Sequence, residues 1–296
     1  MKYSAVIIIY NPNSTSGLAE TKAGRLKARL TKRGIEHVKL IKTEYAGHAE
    51  EIAYQQTRKY PRPLLVSVSG DGGYNEVVNG ALLAQQQTGH QPTCCIMAAG
   101  NANDHRRSVK KQPLSRAIVK AEPEAVDILK MTVRYGSTTI VRYAHSYIGF
   151  GFTSHVADEL NQARLTRLKE IGIVLRAFFN FEPTLIAMPE GRIRKVDSLV
   201  FANIHQMAKM VRIGKKTNLH NGQFKMVFFP HQTRLKFIIN LLRITIFGVR
   251  KPIQQQAFTC ALPKTTLVHL DGEVQTIPGG SQVIIESVAG GLQTVR

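Results

Sequence analysis

A glycine-rich segment between residues 69 and 80 carries the sharpest chemical signal in the sequence. It reads Ser69-Gly70-Asp71-Gly72-Gly73-Tyr74-Asn75-Glu76-Val77-Val78-Asn79-Gly80. The segment follows an apolar run typical of a buried strand and precedes a helical pattern. Small residues at such a turn let backbone N–H groups and a helix N-terminus approach phosphate oxygens, and Asp71 would hold a hydrated Mg²⁺ beside them. The glycines alone are equally compatible with an ordinary turn.

Two further polar loops follow predicted strands of the same sheet. They read Asn11-Pro12-Asn13-Ser14-Thr15-Ser16-Gly17 and Ala99-Gly100-Asn101-Ala102-Asn103-Asp104. Each could be an ordinary turn, because Asn, Ser, Gly and Asp populate turns for local reasons. Ligands of open α/β sheets, however, bind at the carboxyl ends of the strands. Three such loops at one edge therefore favour a shared ligand site.

The tripeptide Asp271-Gly272-Glu273 is the third signal. It ends a stretch from Ser198 to Leu270 that has no Asp or Glu and 11 Lys or Arg among its 73 residues. Carboxylates near cations ionise readily, which suits a general base or a metal ligand. Asp-Gly is also a common hairpin turn, so a purely structural role stays open.

In order and spacing, these motifs resemble the catalytic domain of the diacylglycerol kinase family, which includes sphingoid-base kinases and bacterial lipid kinases. The family shows an Asn-Pro-x-Ser-Gly-like loop, then Gly-Gly-Asp-Gly-Thr-x-x-Glu-Val-x-Asn-Gly, then Gly-Thr-x-Asn-Asp. The match extends more thinly through Asp127, the Tyr147-Ile148-Gly149-Phe150-Gly151 turn and Asp271-Gly272-Glu273. The resemblance implies an ATP-binding α/β domain like that of NAD kinases and phosphofructokinases, followed by a β-sandwich, with catalysis in the cleft between them.

The resemblance also implies roles for particular residues. Glu273 would be the general base toward the acceptor hydroxyl, and Asp271 would orient it. Asp71 would also be a catalytic residue. Together with Asp104 and Asp127 it would form the carboxylate and water network around Mg²⁺. The residues expected to line ATP are Asn11, Pro12, Asn13, Ser14, Gly17, Thr43, Ser69, Gly70, Asp71, Gly72, Gly73, Tyr74, Asn75, Gly100 and Asn101.

The sequence departs from the family pattern at several positions. Ser69 replaces a Gly, while Gly73 and Asn101 each replace a Thr. His105, in place of the usual Phe, is followed by Arg106 and Arg107, which are expected either to meet phosphates or to be exposed. A structural Mg²⁺ site of bacterial members would here consist of Asn218, Asn221 and the backbone of Gln223, without the usual Asp charge. These changes leave room for altered nucleotide preference, weak activity or a pseudokinase.

The pattern of apolar residues divides the chain into two predicted domains. Up to about Lys120, β-branched runs alternate with helical patterns, which indicates βα units and a parallel sheet. The predicted strands are 5–10, 38–43, 64–69 and 93–98, and the predicted helices are 19–30, 47–60 and 74–86. After about Glu124 short strand-like runs dominate. The sequence thus predicts an α/β domain over 1–125 and a β-rich domain over 126–296, whose final strand could return to the first.

The net charge of the chain limits the classes of binding partner that we expect. The 296 residues carry 40 Lys and Arg against 20 Asp and Glu, a net charge of +20 that attracts polyanions. Two segments, 164–181 and 232–249, mix apolar residues with cations, are expected to be helical, and suit the interface of an anionic bilayer. The alternative is that the apolar residues of these two segments lie in the core and their cations form a solvated rim. No zinc-ligand spacing, RNA-binding aromatic motif or Trp is present, which disfavours nucleic acid.

Together these observations predict an ATP- and Mg²⁺-dependent kinase that phosphorylates a hydroxyl of diacylglycerol, a sphingoid base or a related lipid. The alternatives are a soluble-substrate kinase of the NAD kinase type and a non-catalytic protein that binds anionic membranes. Three cysteines without a spaced framework fit a reducing compartment, and the N-terminus is expected to be a strand rather than a signal peptide. We therefore expect a cytoplasmic protein, peripheral at the membrane, with a homodimer left open.

Overall fold

The computed structural model describes residues 3–100, 102–162, 172, 176–208, 211–214 and 218–296. The chain forms two compact units. One comprises Met1–Val126 with Gly290–Arg296, and the other comprises Asp127–Ala289.

The first unit contains a parallel sheet packed with helices. Its strands are β1 (Ala5–Tyr10), β2 (Val38–Lys42), β3 (Pro63–Ser69) and β4 (Thr93–Ala98), in the order β2-β1-β3-β4. Its helices are α1 (Leu18–Thr31), α2 (His48–Lys59), α3 (Asp71–Thr88), α4 (Asp104–Val109) and α5 (Leu114–Lys120), and a 3₁₀ turn covers Ser14–Gly17. The strand pairing is parallel throughout, with Ile8 opposite Leu40 on one side and Val66 on the other.

Sequence patterns explain these elements. Every residue of β1 is buried, as expected of a parallel strand with both faces covered. On α1, Ala19, Ala23, Leu26 and Leu30 recur at helical spacing and all join the core, as predicted. Helix α3 begins at Asp71, three residues before the predicted start, so the prediction of a loop there is wrong. The first turn of α3 itself includes Gly72 and Gly73.

The end of the chain belongs to the first unit. Thr294 pairs in parallel with Cys94 of β4. The Arg296 guanidinium donates two hydrogen bonds, of 2.6 and 3.0 Å, to the Glu124 carboxylate, which Lys111 also contacts at 2.7 Å. Burial alone would raise the pKa of Glu124, but these two cations lower it overall. The last residues are thus fixed by one strand pairing and one charged cluster.

The second unit consists mainly of antiparallel strands. The strands are β5 (Glu124–Tyr135), β6 (Thr138–Ala144), β7 (Tyr147–Gly151), β8 (Thr184–Ala187), β9 (Ile193–Ala202), β10 (Gln206–Met207), β11 (Val211–Arg212), β12 (Phe224–Pro230), β13 (Ile253–Gln255), β14 (Ala257–Leu262), β15 (Thr266–Leu270), β16 (Glu273–Ile277) and β17 (Ser281–Thr294). The main order is β16-β15-β7-β9-β8-β14-β17, with β12 beside β9, β13 beside β12, and β5 between β17 and β6. Strand β5 begins, and β17 ends, in the first unit. The predicted mixed α/β class is confirmed.

Two helices, α6 (Phe152–Gln162) and α7 (Arg234–Phe247), accompany these strands. Helix α7 confirms the helix predicted over 232–249. Of the helix predicted over 164–181, residues 164–171 and 173–175 lie outside the described residues, and residues 176–180 are helical. The two helices share a cluster of aromatic rings formed by Phe152, Phe178, Phe181 and Phe237. This aromatic cluster holds the inner face of α7.

Candidate functional site

The turn between β3 and α3 lies against the loop that follows β4. A β-carbon built on Gly100 would lie 2.2 Å from the Cα of Gly70 and 2.9 Å from its nitrogen, so only glycine fits there. The side-chain oxygen of Asn103 accepts the N–H of Gly100 at 3.1 Å and its amide donates back to the Gly100 carbonyl. The loops after β3 and β4, which were predicted to share a ligand site, thus meet backbone to backbone. Asn101 lies outside the described residues.

Asp71 links the same two loops. Its carboxylate oxygens accept the backbone N–H groups of Asp104 at 2.9 Å and His105 at 3.2 Å, which are the first residues of α4. A carboxylate at a helix N-terminus satisfies N–H groups that have no partner inside the helix. Asp71 and Asp104 are both buried. One role of Asp71 is therefore to cap α4, and Mg²⁺ binding by Asp71 stays a prediction.

Glu76, five residues further along α3, caps the start of α2 as Asp71 caps the start of α4. Its two oxygens accept the N–H groups of Gly47 at 3.0 Å and Ala49 at 3.2 Å at the start of α2. Burial raises the pKa of Glu76, and the bonds from the backbone oppose this shift. Glu76 is part of the glycine-rich motif, but its residue type and spacing indicated no role for it. Its position five residues after Asp71, near the start of the predicted helix, was the available signal.

The first loop forms a local turn at the end of β1. The side chain of Asn11 accepts the N–H of Asn13 at 2.9 Å, and the Asn11 carbonyl accepts that of Ser14 at 3.1 Å. Gly17 adopts a φ of 91°, a conformation that favours glycine. Thr43 adjoins this loop, because its N–H donates to the carbonyl of Tyr10 at 2.9 Å. Pro12 lies within this turn.

Two cations near these loops donate to backbone carbonyls. The amine of Lys22, on α1, donates to the carbonyl of Ala98 at the end of β4, at 2.8 Å. His105 and Arg106 are buried, so the expectation of exposure is wrong for these two residues, whereas Arg107 is exposed, in line with one of the two expectations. The Arg106 guanidinium donates to the carbonyl of Gln112 at 2.9 Å. Nothing in the sequence pattern of α1 distinguished Lys22 from its neighbours.

Asp271 and Gly272 form the two-residue turn of the β15–β16 hairpin. Their φ values are 54° and 101°, and Leu270 pairs with Glu273 across the turn. The buried Asp271 carboxylate accepts three backbone N–H groups, from His145 at 2.7 Å and from Ser146 and Tyr147 at 2.9 Å. The structural reading of Asp-Gly as a hairpin is thus correct, and Asp271 also fixes the β6–β7 turn. Glu273, partly exposed, begins β16.

A buried hydrogen-bond chain connects Asp271 with Asp127 inside the second unit. The Asn203 amide donates to the Asp127 carbonyl at 2.6 Å, and the Asn203 N–H donates to the carbonyl of Ser146 at 2.7 Å. Ser146 in turn donates its N–H to Asp271. No local pattern in the sequence marks Asn203 or Ser146, because their link depends on strands that are distant in sequence. Both residues are almost fully buried.

The residues predicted for a structural Mg²⁺ site form two local turns. The side-chain oxygen of Asn218 accepts the N–H of His220 at 3.1 Å, and that of Asn221 accepts the N–H of Gln223 at 3.3 Å. Between them, Gly222 donates its N–H to the carboxylate of Asp127 at 2.7 Å. This segment is therefore tied to Asp127 by the backbone rather than through a side-chain ligand set. Cation binding there stays a prediction.

The donor chemistry around α3 fits phosphate groups and a hard cation. Gly70 precedes the first turn of α3 and has no side chain to cap it, which leaves a helix N-terminus open to anions. Among the described residues, no three His, Cys, Asp or Glu side chains form a metal cluster. Mg²⁺ beside a nucleotide needs only one or two carboxylates plus phosphate oxygens and water, and Asp71 supplies an oxygen donor of that kind. The grouping of Asp71, Asp104 and Asp127 stays a prediction.

The chain thus combines a parallel α/β unit, a glycine-rich strand-to-helix turn and a second unit of antiparallel strands. Residues 5–131 match the sequence model described as the diacylglycerol kinase catalytic domain. The predicted resemblance to that family is confirmed over this part of the chain.

Curated relatives agree with this assignment. The chain is 32% identical over 133 residues to a diacylglycerol kinase of Staphylococcus saprophyticus, which covers 43% of this chain and 41% of that protein. It is 28% identical over 181 residues to sphingoid long-chain bases kinase 1 of Arabidopsis thaliana, which covers 60% of this chain and 23% of that protein. The chain thus spans less than half the length of either relative.

Solved structures support the fold over the whole chain. A diacylglycerol kinase from Bacillus anthracis superposes with a TM-score of 0.69 at 17% identity, covering 100% of this chain and 97% of that one. Yeast NADH kinase superposes with a TM-score of 0.51 at 9% identity, covering 98% and 83%. The fold is therefore common to both kinase types.

Proposed function

We propose that this protein is an ATP-dependent lipid kinase that transfers the γ-phosphate of ATP to a hydroxyl of diacylglycerol, a sphingoid base or a related lipid alcohol. The observation that carries the proposal is the assembled turn at Asp71. That carboxylate joins the loops after β3 and β4, within the part of the chain that matches the diacylglycerol kinase catalytic domain model. A lipid acceptor is favoured because the names of the two curated relatives refer to lipid substrates.

On the nucleotide side, the proposal assigns phosphate binding to the backbone at the start of α3. Gly70, Gly72 and Gly73 carry no side chains that would obstruct phosphate oxygens, and the α3 N-terminus favours negative charge. Asp71 would hold Mg²⁺, which neutralises charge on the phosphates when bound. Because Asp71 also caps α4, the cation-binding oxygens would be held by the same bonds that fix the loop. Positioning and charge neutralisation are most of what phosphoryl transfer requires.

On the acceptor side, Glu273 would take the proton of the lipid hydroxyl. It is partly exposed at the start of β16, directly after a turn that Asp271 fixes through three backbone hydrogen bonds. Because the hairpin is rigid, orienting the base for reaction would cost little further conformational entropy. Asp271 would thus be a positioning residue rather than a second base. The bilayer that contains the lipid would be the protein's partner surface.

The test is transfer of labelled γ-phosphate from ATP, with Mg²⁺, to diacylglycerol and to sphingoid bases in mixed micelles, with NAD as a soluble acceptor in parallel. Asp71→Asn should abolish transfer, and Glu273→Gln should reduce it by about 10²–10⁴-fold. Glu122→Gln makes the same chemical change at an exposed position and should leave the rate unchanged.

Folding of each variant is checked by thermal unfolding, because Asp71 also has a structural role. Formation of a labelled lipid product that requires both Asp71 and Glu273 supports the proposal. A product formed only from NAD, or no product with any acceptor from folded protein, refutes it in favour of a soluble-substrate kinase or a pseudokinase.

A further inference from the structure

Helix α7 presents an unusual apolar face to solvent. Leu235, Ile239, Leu242 and Ile246 recur at spacings of four, three and four residues, so they lie in one stripe along the helix. Their side chains are 70%, 53%, 57% and 63% exposed. Large aliphatic residues scattered singly on a surface are common, but a continuous stripe marks an interaction surface. We call these four residues the α7 stripe.

The opposite face of α7 fixes the helix in this orientation. Phe237 is buried in the aromatic cluster, and Ile238 and Leu241 pack against it. The ring of Phe237 stacks on Phe178 with centroids 5.9 Å apart. At the start of the helix, the Arg234 guanidinium donates to the carbonyl of Phe179. Because the inner face is committed to the core, the stripe cannot be buried by a simple rotation of the helix.

The charged residues of α7 and of the segment directly after it are all cations. Lys236 and Arg243 are exposed and seven residues apart, which places them along the same flank of the helix. Arg250 and Lys251 follow immediately after the helix and are also exposed, and the Arg250 guanidinium lies 5.8 Å from the centroid of the Phe247 ring. No Asp or Glu occurs anywhere from Ser198 to Leu270. A surface that combines exposed aliphatic groups with cations is complementary to an anionic bilayer.

We propose that α7 lies in the plane of an anionic membrane, with the stripe inserted at the acyl boundary and its cations at the headgroups. In the described part of the chain, no helix is long and apolar enough to cross a membrane. A helix of 14 residues is only about 21 Å long, which suits a position in the interface. The inference rests on the proposed function for its biological reason, because a lipid kinase must reach its substrate at a membrane. The binding itself involves neither nucleotide nor lipid acceptor.

The chain offers a direct spectroscopic test, because it contains no Trp. Ile246→Trp places a single indole on the exposed stripe, and Leu83→Trp places one at a 44% exposed position on α3 as the matched control. With vesicles of phosphatidylglycerol and phosphatidylcholine, the emission of the Ile246 variant should move to shorter wavelength and be quenched by brominated acyl chains. The emission of the Leu83 variant should stay unchanged.

Vesicle sedimentation gives the energetics. Each cation near an anionic surface contributes about 1 kcal/mol, so Lys236→Gln with Arg243→Gln should weaken binding roughly 30-fold. Lys27→Gln with Lys32→Gln, an exposed pair at α1, is the charge-matched control. Leu242→Gln with Ile246→Gln should weaken binding by about 10-fold or more. High salt should weaken the binding of wild type, and vesicles of phosphatidylcholine alone should bind poorly.

Several results would overturn the inference. Equal binding to neutral and anionic vesicles would show that the anionic headgroups do not contribute to binding. Unchanged binding of both α7 variants would show that α7 is not the membrane-binding surface. A concentration-dependent dimer that dissociates in Leu242→Gln/Ile246→Gln would show that a second copy covers the stripe instead. Failure of the proposed function is distinguishable, because Asp71→Asn should lose phosphoryl transfer while still binding vesicles as wild type.

Discussion

The side chain of Ser69 occupies the space that a β-carbon on residue 73 would need. Such an atom, built on Gly73, would lie 2.8 Å from the Oγ of Ser69 and 2.9 Å from its Cβ. Both positions depart from the family pattern, which has Gly where Ser69 stands and Thr where Gly73 stands. The two departures are therefore coupled: a hydroxyl-bearing side chain has moved from the helix to the end of the preceding strand. Its Oγ donates to the Gly70 carbonyl at 2.9 Å and pairs with the Ser67 hydroxyl at 2.7 Å.

The first prediction is that residues 69 and 73 must change together. Gly73→Thr alone should lower the free energy of unfolding by about 1–3 kcal/mol, because it overpacks the buried Ser69. The double variant Ser69→Gly/Gly73→Thr should recover most of that loss. Urea unfolding of the two single variants and the double variant measures the coupling. If Gly73→Thr is as stable as wild type, the steric relationship is wrong.

The second prediction concerns Asp271. Asp271→Asn keeps a residue that tolerates a positive φ, but its single oxygen cannot accept all three N–H groups of the β6–β7 turn. Each buried N–H left unsatisfied costs about 1–3 kcal/mol, so the variant should be destabilised by at least that amount. Faster hydrogen exchange at His145, Ser146 and Tyr147 would locate the effect. Glu273→Gln, at a partly exposed position, is the matched control and should change stability by less than about 0.5 kcal/mol.

The third prediction is an acid-side dependence of stability on His269. Burial lowers the pKa of His269 to about 4, whereas an unfolded chain has a value near 6.5. Between these values the unfolded state binds more protons, so stability is fully present above pH 6.5 and decreases toward pH 4. The shift corresponds to roughly 3 kcal/mol. His269→Gln should have a shallower slope of stability against pH in this window, and parallel slopes would contradict the assignment.

The fourth prediction is an alkaline-side dependence on Lys225. Burial lowers the pKa of this lysine to about 8, although its amine donates to the carbonyl of Ile213 at 2.9 Å. The folded state therefore binds fewer protons than the unfolded state between about pH 8 and 10.5, and stability should rise across that range. Lys225→Met should lose this rise, while Lys130→Met, a half-exposed lysine on β5, should keep it. Chemical unfolding at a series of pH values between 7 and 10 measures the difference.

The pattern of apolar residues was sufficient for the fold class and for most elements of the first unit. Strand β1 could be predicted because a strand covered on both faces is apolar throughout. The stripe of Ala19, Ala23, Leu26 and Leu30 on α1 could be predicted because burial on one face imposes a period on the sequence. The start of α3 could not be predicted from the sequence. Glycines suggest a turn, yet Gly72 and Gly73 are helical, and Gly73 also avoids a clash with Ser69.

The sequence by itself determined which residues are candidates for chemistry and in what order the loops occur, since these depend on residue types and on local spacing. Only the tertiary structure decided what the carboxylates hold. Asp71 binds the start of α4, 33 positions away, and Asp271 binds a turn about 125 positions away. The same holds for the α7 stripe, whose residues resemble core in sequence. A hydrogen bond or a buried face depends on which distant backbone the chain brings alongside, and no local period records that choice.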